Sequence, residues 1–142
     1  METKYVLGFM FNKNETDVLL IEKQKPAWQR GKLNGIGGKV EFGEMNIDAI
    51  IREFKEECGI EQRGWKYIVS MYGDDWLVDV FTCTTDQVFD FKQTEAEKVC
   101  LIPLNELDKY DTISNLYWLI PMCLDKNDDG KSGINYKVSN YL

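Results

Sequence analysis

Residues 38–60, with the sequence GKVEFGEMNIDAIIREFKEECGI, constrain the fold of this chain more than any other stretch. Placed on a helical period, its side chains divide into an apolar face and an acidic face. The apolar face comprises Ile47, Ile51, Phe54 and Cys58, flanked by Ile50. A helix with one apolar face must bury that face against another element. The stretch therefore predicts an amphipathic helix that packs on a sheet.

Two residues mark the ends of this helix. Asn46 is one of the residue types whose side chains cap a helix N-terminus. Gly59 suits the left-handed conformation in which many helices end. We therefore predict a helix from Ile47 to about Cys58, capped by Asn46 and ended by Gly59.

The acidic face carries Glu53, Glu56 and Glu57, which are neighbours at spacings of three and four residues. Like charges at these spacings destabilise an isolated helix, and the C-terminal half of a helix disfavours negative charge. Such a conflict is typical of a functional site. A hard divalent cation, magnesium or manganese, would remove it by accepting oxygen ligands. The alternative is a solvated acidic face with Arg52 and Lys55 as partners.

A glycine-containing loop precedes this helix. Residues 24–37 hold Trp28 and Asn34 among other large side chains, and loops of this length in small domains are usually functional or disordered. Trp28 either stacks on a substrate or covers the core. Glycines at 35, 37, 38 and 43 permit the backbone to approach a ligand closely. A glycine-rich turn that leads into a multi-carboxylate helix is typical of a metal–polyphosphate cradle.

The composition sets limits on function. A chain of 142 residues suits one domain, residues 1–142, and its net charge of −7 argues against nucleic acid or an anionic membrane as partner. Histidine is absent, which excludes Ser-His-Asp and His-dependent zinc sites. The four cysteines form no C-x-x-C pair and lie in apolar settings, which favours reduced thiols and a cytoplasmic location. No apolar run has membrane-spanning length.

Alternating and apolar segments predict a mixed sheet around the helix. Strands are expected at residues 3–11, 18–21, 65–71, 76–84, 96–102 and 134–138, with hairpins joining the first pair and the next pair. A second helix is expected at residues 115–124, capped by Ser114 and interrupted by Pro121. The sum is an α+β domain with helices against the faces of the sheet.

The fixed positions of residues 38–60 resemble the Nudix box, G-x5-E-x7-R-E-U-x-E-E-x-G-U, in which U is bulky and apolar. Gly38 and Glu44 match its first two positions, and residues 52–60, REFKEECGI, match all the others. The strand order and the preceding loop also look like MutT-type members. The resemblance implies a Nudix fold, an α/β/α sandwich with the box as loop–helix–loop. It also implies hydrolysis of a nucleoside diphosphate linked to another moiety, with Mg²⁺ or Mn²⁺.

The resemblance further implies roles within the box. Glu53, Glu56 and Glu57 would be metal ligands, and the carbonyl of Gly38 would add to them. Glu53 or Glu57 would be the general base. Two residues would be structural: Arg52 would orient the carboxylates, and Glu44 would brace the loop.

Outside the box, the family pattern points to an additional glutamate just before a late strand. Glu97 is favoured over Glu95 as this metal ligand, and a solvated glutamate is the alternative. Lys23 ends the second strand, where it would meet phosphate or remain a surface lysine. Trp28, Asn34 and the Tyr117–Trp118 pair are candidates for contact with the base, although core packing explains the last pair equally well.

The expected partner is thus a small-molecule nucleotide, most directly a nucleoside triphosphate or an oxidised deoxynucleotide cleaved to a monophosphate and pyrophosphate. ADP-ribose, a nucleotide sugar or a dinucleotide polyphosphate is the alternative substrate. A non-catalytic Nudix-fold sensor is the alternative of another class, but such a protein is expected to lose box glutamates that this chain retains. Residues 125–130, DKNDDG, match half of an EF-hand loop, yet Tyr136 stands where its last glutamate belongs. A surface loop explains them better.

Overall fold

The structure, a computed structural model, describes residues 2–94, 97–126 and 134–137. Within this part the chain forms eight strands and two α-helices. The strands are Thr3–Phe11 (β1), Asp17–Glu22 (β2), Leu33–Asn34 (β3), Ile36–Lys39 (β4), Lys66–Tyr72 (β5), Trp76–Thr84 (β6), Lys98–Pro103 (β7) and Ile134–Lys137 (β8). The helices are Asn46–Cys58 (α1) and Leu116–Cys123 (α2). Short 3-10 helices cover Ala27–Gln29, Asp86–Asp90 and Leu104–Lys109.

All the strands belong to one mixed sheet in the described residues. Its main path runs β3-β2-β1-β6-β5-β8, with β4 paired to β1 and β7 paired to β2. β1 and β2 are antiparallel, as are β5 and β6, which confirms the two predicted hairpins. β1 and β6 are parallel and pair along their full length, from Thr3 opposite Trp76 to Phe11 opposite Thr84. These two strands form the centre of the molecule.

Both faces of the sheet are buried, because successive side chains of a strand point to opposite faces. In β1, Leu7, Phe9 and Phe11 belong to a core cluster with Leu116, Leu119 and Ile120 of α2. Val6 and Met10 belong to a second cluster with Ile50, Phe54 and Cys58 of α1. Helices thus cover opposite faces of one mixed sheet, which confirms the predicted α+β sandwich.

The buried face of α1 agrees with the prediction only in part. Ile50, Phe54 and Cys58 are buried, whereas Ile47 and Ile51 are only partly buried. Glu53, which was predicted on the acidic face, is buried because α1 packs closely on β4.

The loop predicted for residues 24–37 is wrong in part. It contains the 3-10 helix Ala27–Gln29 and the strand β3, and β4 begins inside it. These two strands form because they pair with strands that are distant in the sequence: β3 pairs with β2, and β4 pairs with β1. β3 and β4 have only two and four residues, which is too short for an alternation of apolar and polar side chains to predict a strand. Residues 85–94, a polar segment for which no element was predicted, contain the short 3-10 helix Asp86–Asp90.

Two predicted helix caps are also wrong. Met45 is the N-cap of α1 and makes no side-chain capping bond, whereas Asn46 lies in the first turn and donates its side-chain amide to Asp79. The N-cap of α2 is Asn115, again without a side-chain bond, rather than Ser114. Gly59 does end α1 in the left-handed conformation, with φ 73°. A competing tertiary partner on β6 therefore replaces local capping at Asn46.

Some sequence predictions concern residues at the margin of the described part. The strand predicted at residues 134–138 is seen as Ile134–Lys137, and residue 138 lies outside the described residues. Residues 127–130 of the calcium-like stretch and Glu95 lie outside them too. Among the residues that are described, no helix is long and apolar enough to span a membrane. The four cysteines are all free thiols.

Candidate active site

Glu53 lies where α1 packs against β4, directly beside Gly38. Gly38 of β4 pairs with Val6 of β1, and a side chain at Gly38 would project towards α1. A Cβ atom built on Gly38 would lie 2.4 Å from Oε1 of Glu53. The position therefore requires glycine, and its backbone lies directly beside the Glu53 carboxylate. Glu53 is buried, with 8% of its surface exposed.

The guanidinium group of Arg52 joins the strand, the loop and the helix. Its Nε and Nη2 atoms donate to the two carboxylate oxygens of Glu44, at 2.8 and 3.0 Å. Nη2 also donates to the carbonyl oxygen of Lys39, at 3.1 Å. Nη1 donates to Glu53 Oε1 at 2.9 Å and to Glu56 Oε2 at 3.3 Å. The planar fork of arginine suits this set of acceptors, and a lysine would reach only part of it.

These contacts shift the protonation of the two glutamates in opposite directions. The hydrogen bonds from Arg52 hold the pKa of Glu44 below its ordinary value, and the backbone N–H of Glu41 adds to this. Burial raises the pKa of Glu53, although the charge and hydrogen bond of Arg52 oppose it. Arg52 thus favours the ionised form of Glu44, whereas burial makes ionisation of Glu53 less favourable than that of a free glutamate.

The box carboxylates fit a divalent cation in their chemistry. Glu53 and Glu56 both bond to one nitrogen, Nη1 of Arg52, which shows that the two carboxylates can reach a single positive group. Glu57 follows Glu53 by one helical turn and is half-buried. The donors are all oxygens, which suit magnesium or manganese. As they stand, no three Asp, Glu, Cys or His side chains of the described residues already converge as a metal site.

Glu97 lies at the start of β7 and contacts the residues that follow β2. Its Oε2 accepts a 2.6 Å hydrogen bond from the backbone N–H of Gln24, and its Oε1 forms a 3.5 Å ion pair with Lys23. The cause is the antiparallel pairing of β2 with β7, in which Glu22 lies opposite Lys98. The structure thus brings two predicted site residues, Lys23 and Glu97, into direct contact with each other.

A cleft of about 700 Å³ opens beside β4 and connects the box with the preceding loop. Lys23, Trp28 and Asn34, the three residues predicted to bind substrate, all line it together with Gly38 of the box. Trp28 is 41% exposed, whereas Asn34 is buried in the wall. Tyr117 and Trp118 do not line this cleft, and both are exposed on α2.

Sequence reasoning missed several walls of the cleft. They are Tyr5, Lys25, Gln29, Lys39, Trp76 and Val78. Tyr5 and Val78 lie opposite each other on β1 and β6, and Tyr5 also pairs with Lys39 on β4. No short sequence pattern predicts that these three residues line one cleft, because each lies on a different strand. Gln29 could have been proposed from the sequence on weaker grounds. It is a large polar residue next to Trp28, in a loop that was predicted to be functional.

The sequence model of the NUDIX domain matches residues 1–119 of this chain. The chain belongs to the Nudix family. The match includes the complete box, the cleft and the strands that position them. It supports a Nudix pyrophosphohydrolase, and Nudix hydrolases generally use divalent metal ions.

Solved structures of Nudix proteins have the same fold. A MutT structure from work on Aliivibrio salmonicida and Vibrio cholerae superposes with a TM-score of 0.73 at 22% identity, over 87% of this chain and 97% of that one. A MutT from Bacillus halodurans gives 0.67 at 17% identity, over 97% and 91%. The NUDIX domain of Shewanella oneidensis NrtR, complexed with ADP ribose, gives 0.73 at 14% identity, over 86% of each chain. At these identities the likeness shows the fold alone.

Proposed function

We propose that this Nudix protein hydrolyses a nucleoside triphosphate, including oxidised deoxynucleotides, to a nucleoside monophosphate and pyrophosphate. The observation that carries the proposal is the cleft, because it joins Gly38 of the box to lysines and to aromatic side chains. A nucleotide needs both kinds of surface, one for its phosphates and one for its base.

The lysines of the cleft favour an anionic substrate. Lys23, Lys25 and Lys39 line it, and no Asp or Glu is found among the described residues that line it. Lys23 is paired with Glu97, so Lys25 and Lys39 supply the positive charge of this cleft in a chain with a net charge of −7. Such focusing attracts an anion that the remainder of the surface would repel.

The aromatic walls favour a planar ring. Trp28, Trp76 and Tyr5 line the same cleft, and aromatic side chains provide large apolar surfaces for stacking. Ligand pockets for small molecules have volumes of about 300–1,000 Å³, and this cleft falls in that range. A nucleoside with a short phosphate chain is therefore a suitable occupant.

The proposed roles are those that the resemblance to the Nudix box implies. Glu53, Glu56 and Glu57, with the carbonyl of Gly38 and with Glu97, would hold the metal. When bound, Mg²⁺ or Mn²⁺ neutralises phosphate oxygens and activates water. Glu53 or Glu57 would take the proton of the attacking water. Arg52 orients Glu53 and Glu56 without touching the substrate, and Glu44 holds Arg52.

ADP-ribose, or another nucleotide with a second moiety, is the competing substrate. The Shewanella oneidensis NUDIX domain was solved with ADP ribose, and its fold matches this chain at a TM-score of 0.73. A non-catalytic nucleotide-binding role is the competing class, and the complete set of box glutamates argues against it. A small-molecule partner, Mg²⁺ or Mn²⁺ as the ion, and a cytoplasmic location belong to the proposal.

A substrate panel tests the proposal. The purified protein is incubated with Mg²⁺ or Mn²⁺ and with nucleoside triphosphates, oxidised deoxynucleotides, ADP-ribose, nucleotide sugars and dinucleotide polyphosphates. Mass spectrometry then identifies the products. We expect a monophosphate and pyrophosphate from a triphosphate. Turnover confined to ADP-ribose or a sugar nucleotide would transfer the assignment to the alternative, and absence of turnover across the panel would refute hydrolysis.

A further inference from the structure

Gln29 is a buried polar residue in the wall of the cleft. It ends the short 3-10 helix Ala27–Gln29, and only 5% of its surface is exposed. It lines the cleft, as Trp28 and Asn34 do. Burial of a side-chain amide is costly unless its polar atoms are satisfied. The orientation of this amide therefore shows what it can offer to a ligand.

A chain of hydrogen bonds fixes that orientation. The backbone N–H of Gly35 donates to the side chain of Asn34 at 2.8 Å, and a backbone N–H can only donate. The accepting atom is therefore the oxygen of Asn34, and its nitrogen points the other way. That nitrogen donates to Gln29 at 3.2 Å, so the atom of Gln29 that faces Asn34 is its Oε1 oxygen.

The amide nitrogen of Gln29 is left for the cleft. Within the described residues, the bond from Asn34 is the only hydrogen bond of the Gln29 side chain. Since the oxygen is turned towards Asn34, we expect the two N–H groups of Nε2 to meet an occupant of the cleft. Asn34 retains one N–H of its own, and its bond to Gln29 fixes the orientation of the Gln29 amide.

We propose that Gln29 selects the base of the substrate as a donor-only group. A free glutamine pairs with adenine by accepting from the amino group and donating to the ring nitrogen. Gln29 does not match that pattern, because its oxygen is turned towards Asn34 and its nitrogen is turned away from it. It matches a base edge that presents acceptors, as the carbonyl oxygen and ring nitrogen of a 6-oxopurine do, or the carbonyl of a 4-oxopyrimidine.

The same geometry rejects an amino group. A base with an exocyclic amino group on the edge that meets Gln29 would set donor against donor and leave buried N–H groups unpaired. Sites built to bond a particular polar group reject analogues in this way. This inference rests on the proposed function only in that the ligand of the cleft is a nucleotide.

Binding without metal tests the inference separately from hydrolysis. Inosine monophosphate and adenosine monophosphate differ on this edge by a carbonyl in place of an amino group. Their affinities can be measured through tryptophan fluorescence, since Trp28 and Trp76 line the cleft. We expect the inosine nucleotide to bind about tenfold more tightly, the worth of one hydrogen bond. Equal affinities, or a preference for the adenosine nucleotide, would overturn the proposal.

The Gln29→Glu variant replaces the donating nitrogen with an accepting oxygen of the same size. We expect its preference to reverse towards the adenosine nucleotide, while Asn34 still donates to the other oxygen. Arg30→Gln is the matched control, because it makes the same change of charge at the next, exposed residue, outside the cleft wall. Its preference should equal that of the wild type.

Two further outcomes are decisive. If Gln29→Glu lowers the melting temperature too far for binding studies, Gln29→Met takes its place. This variant should bind both nucleotides equally. A retained preference for inosine monophosphate would refute the role of Gln29. A protein that prefers inosine monophosphate but hydrolyses no nucleotide would support this inference and refute the proposed function. Hydrolysis without any base preference would do the opposite.

Discussion

At the scale of single residues, Arg52 explains why the box combines a cation with so many carboxylates. Its guanidinium group makes hydrogen bonds to the loop residue Glu44, the strand carbonyl of Lys39 and the helix residues Glu53 and Glu56. It fixes these three elements relative to one another. The resemblance implied that Arg52 orients the carboxylates and that Glu44 braces the loop; the structure adds the bonds by which Arg52 contacts Glu44, Glu53 and Glu56.

Glu44 gives a prediction about pH. Because Arg52 lowers its pKa in the folded state, the ionised Glu44 stabilises the protein above its ordinary pKa, and this contribution is lost as pH falls through the lowered value. Glu44→Gln should reduce the free energy of unfolding by about 2 kcal/mol at pH 7, as for hydrogen bonds to charged groups. Denaturant unfolding between pH 7 and pH 3 measures this. The gap between variant and wild type should narrow on the acid side, and a constant gap would contradict the account.

Gly38 gives a prediction about geometry. A methyl group at this position would overlap the carboxylate of Glu53 and displace it, since the Cβ atom would lie 2.4 Å from Oε1. Displacements of about 1 Å at a catalytic site can cost about 100-fold in rate, so Gly38→Ala should lower kcat by about that factor. Gly64→Ala is the control, because its new methyl group would meet only the end of the Gln62 side chain, at 3.0 Å. Equal kcat values for Gly38→Ala and the wild type would show that Glu53 is not critical.

At the scale of elements, local patterns predicted what is decided locally. The bounds of β1 and β6 agree with the predicted strands, and α1 ends at Gly59 as predicted. The apolar face of α1 agrees at Phe54 and Cys58, but Ile47 and Ile51 are only partly buried. Asn46 was misread because its side chain prefers Asp79 of β6 to the helix backbone. Gly37 was read as a turn residue. It is in fact a strand residue, in which a Cβ atom would strike the backbone of Val6 at 1.9 Å.

The start of α1 is therefore held by the sheet, which can be tested. Asp79 accepts hydrogen bonds from Asn46 and from Ser70, the latter at 2.6 Å. Asp79→Ala should lower the free energy of unfolding by about 1–3 kcal/mol and speed amide exchange in the first turn of α1. Tyr67→Phe removes only the hydroxyl beyond Ser70 and is the milder control. Unchanged exchange at the start of α1 would mean that the helix does not depend on this contact.

At the scale of the whole molecule, the cleft is a product of topology. Its walls come from β1, β4, β6 and the loop after β2, which meet through pairings between distant residues. The box could be identified from its spacing because its residues are consecutive. The other residues that line the cleft could not be identified in this way. Tyr5, Lys39 and Trp76 are separated by dozens of residues, and no short pattern links them. Specificity in this fold thus depends on the part that sequence reasoning predicts least well.

The central claim is that residues 38–60 form the metal-dependent site of hydrolysis. It is tested most directly by turnover with Mn²⁺ of the best substrate from the panel, for the wild type and for Glu56→Gln, Glu57→Gln and Glu61→Gln. Glu61 is the matched control, since it lies just beyond α1 and its side chain forms an exposed ion pair with Lys55. We predict that the first two variants lose at least about 100-fold in kcat while Glu61→Gln retains wild-type turnover. Wild-type turnover by Glu56→Gln and Glu57→Gln would contradict the account.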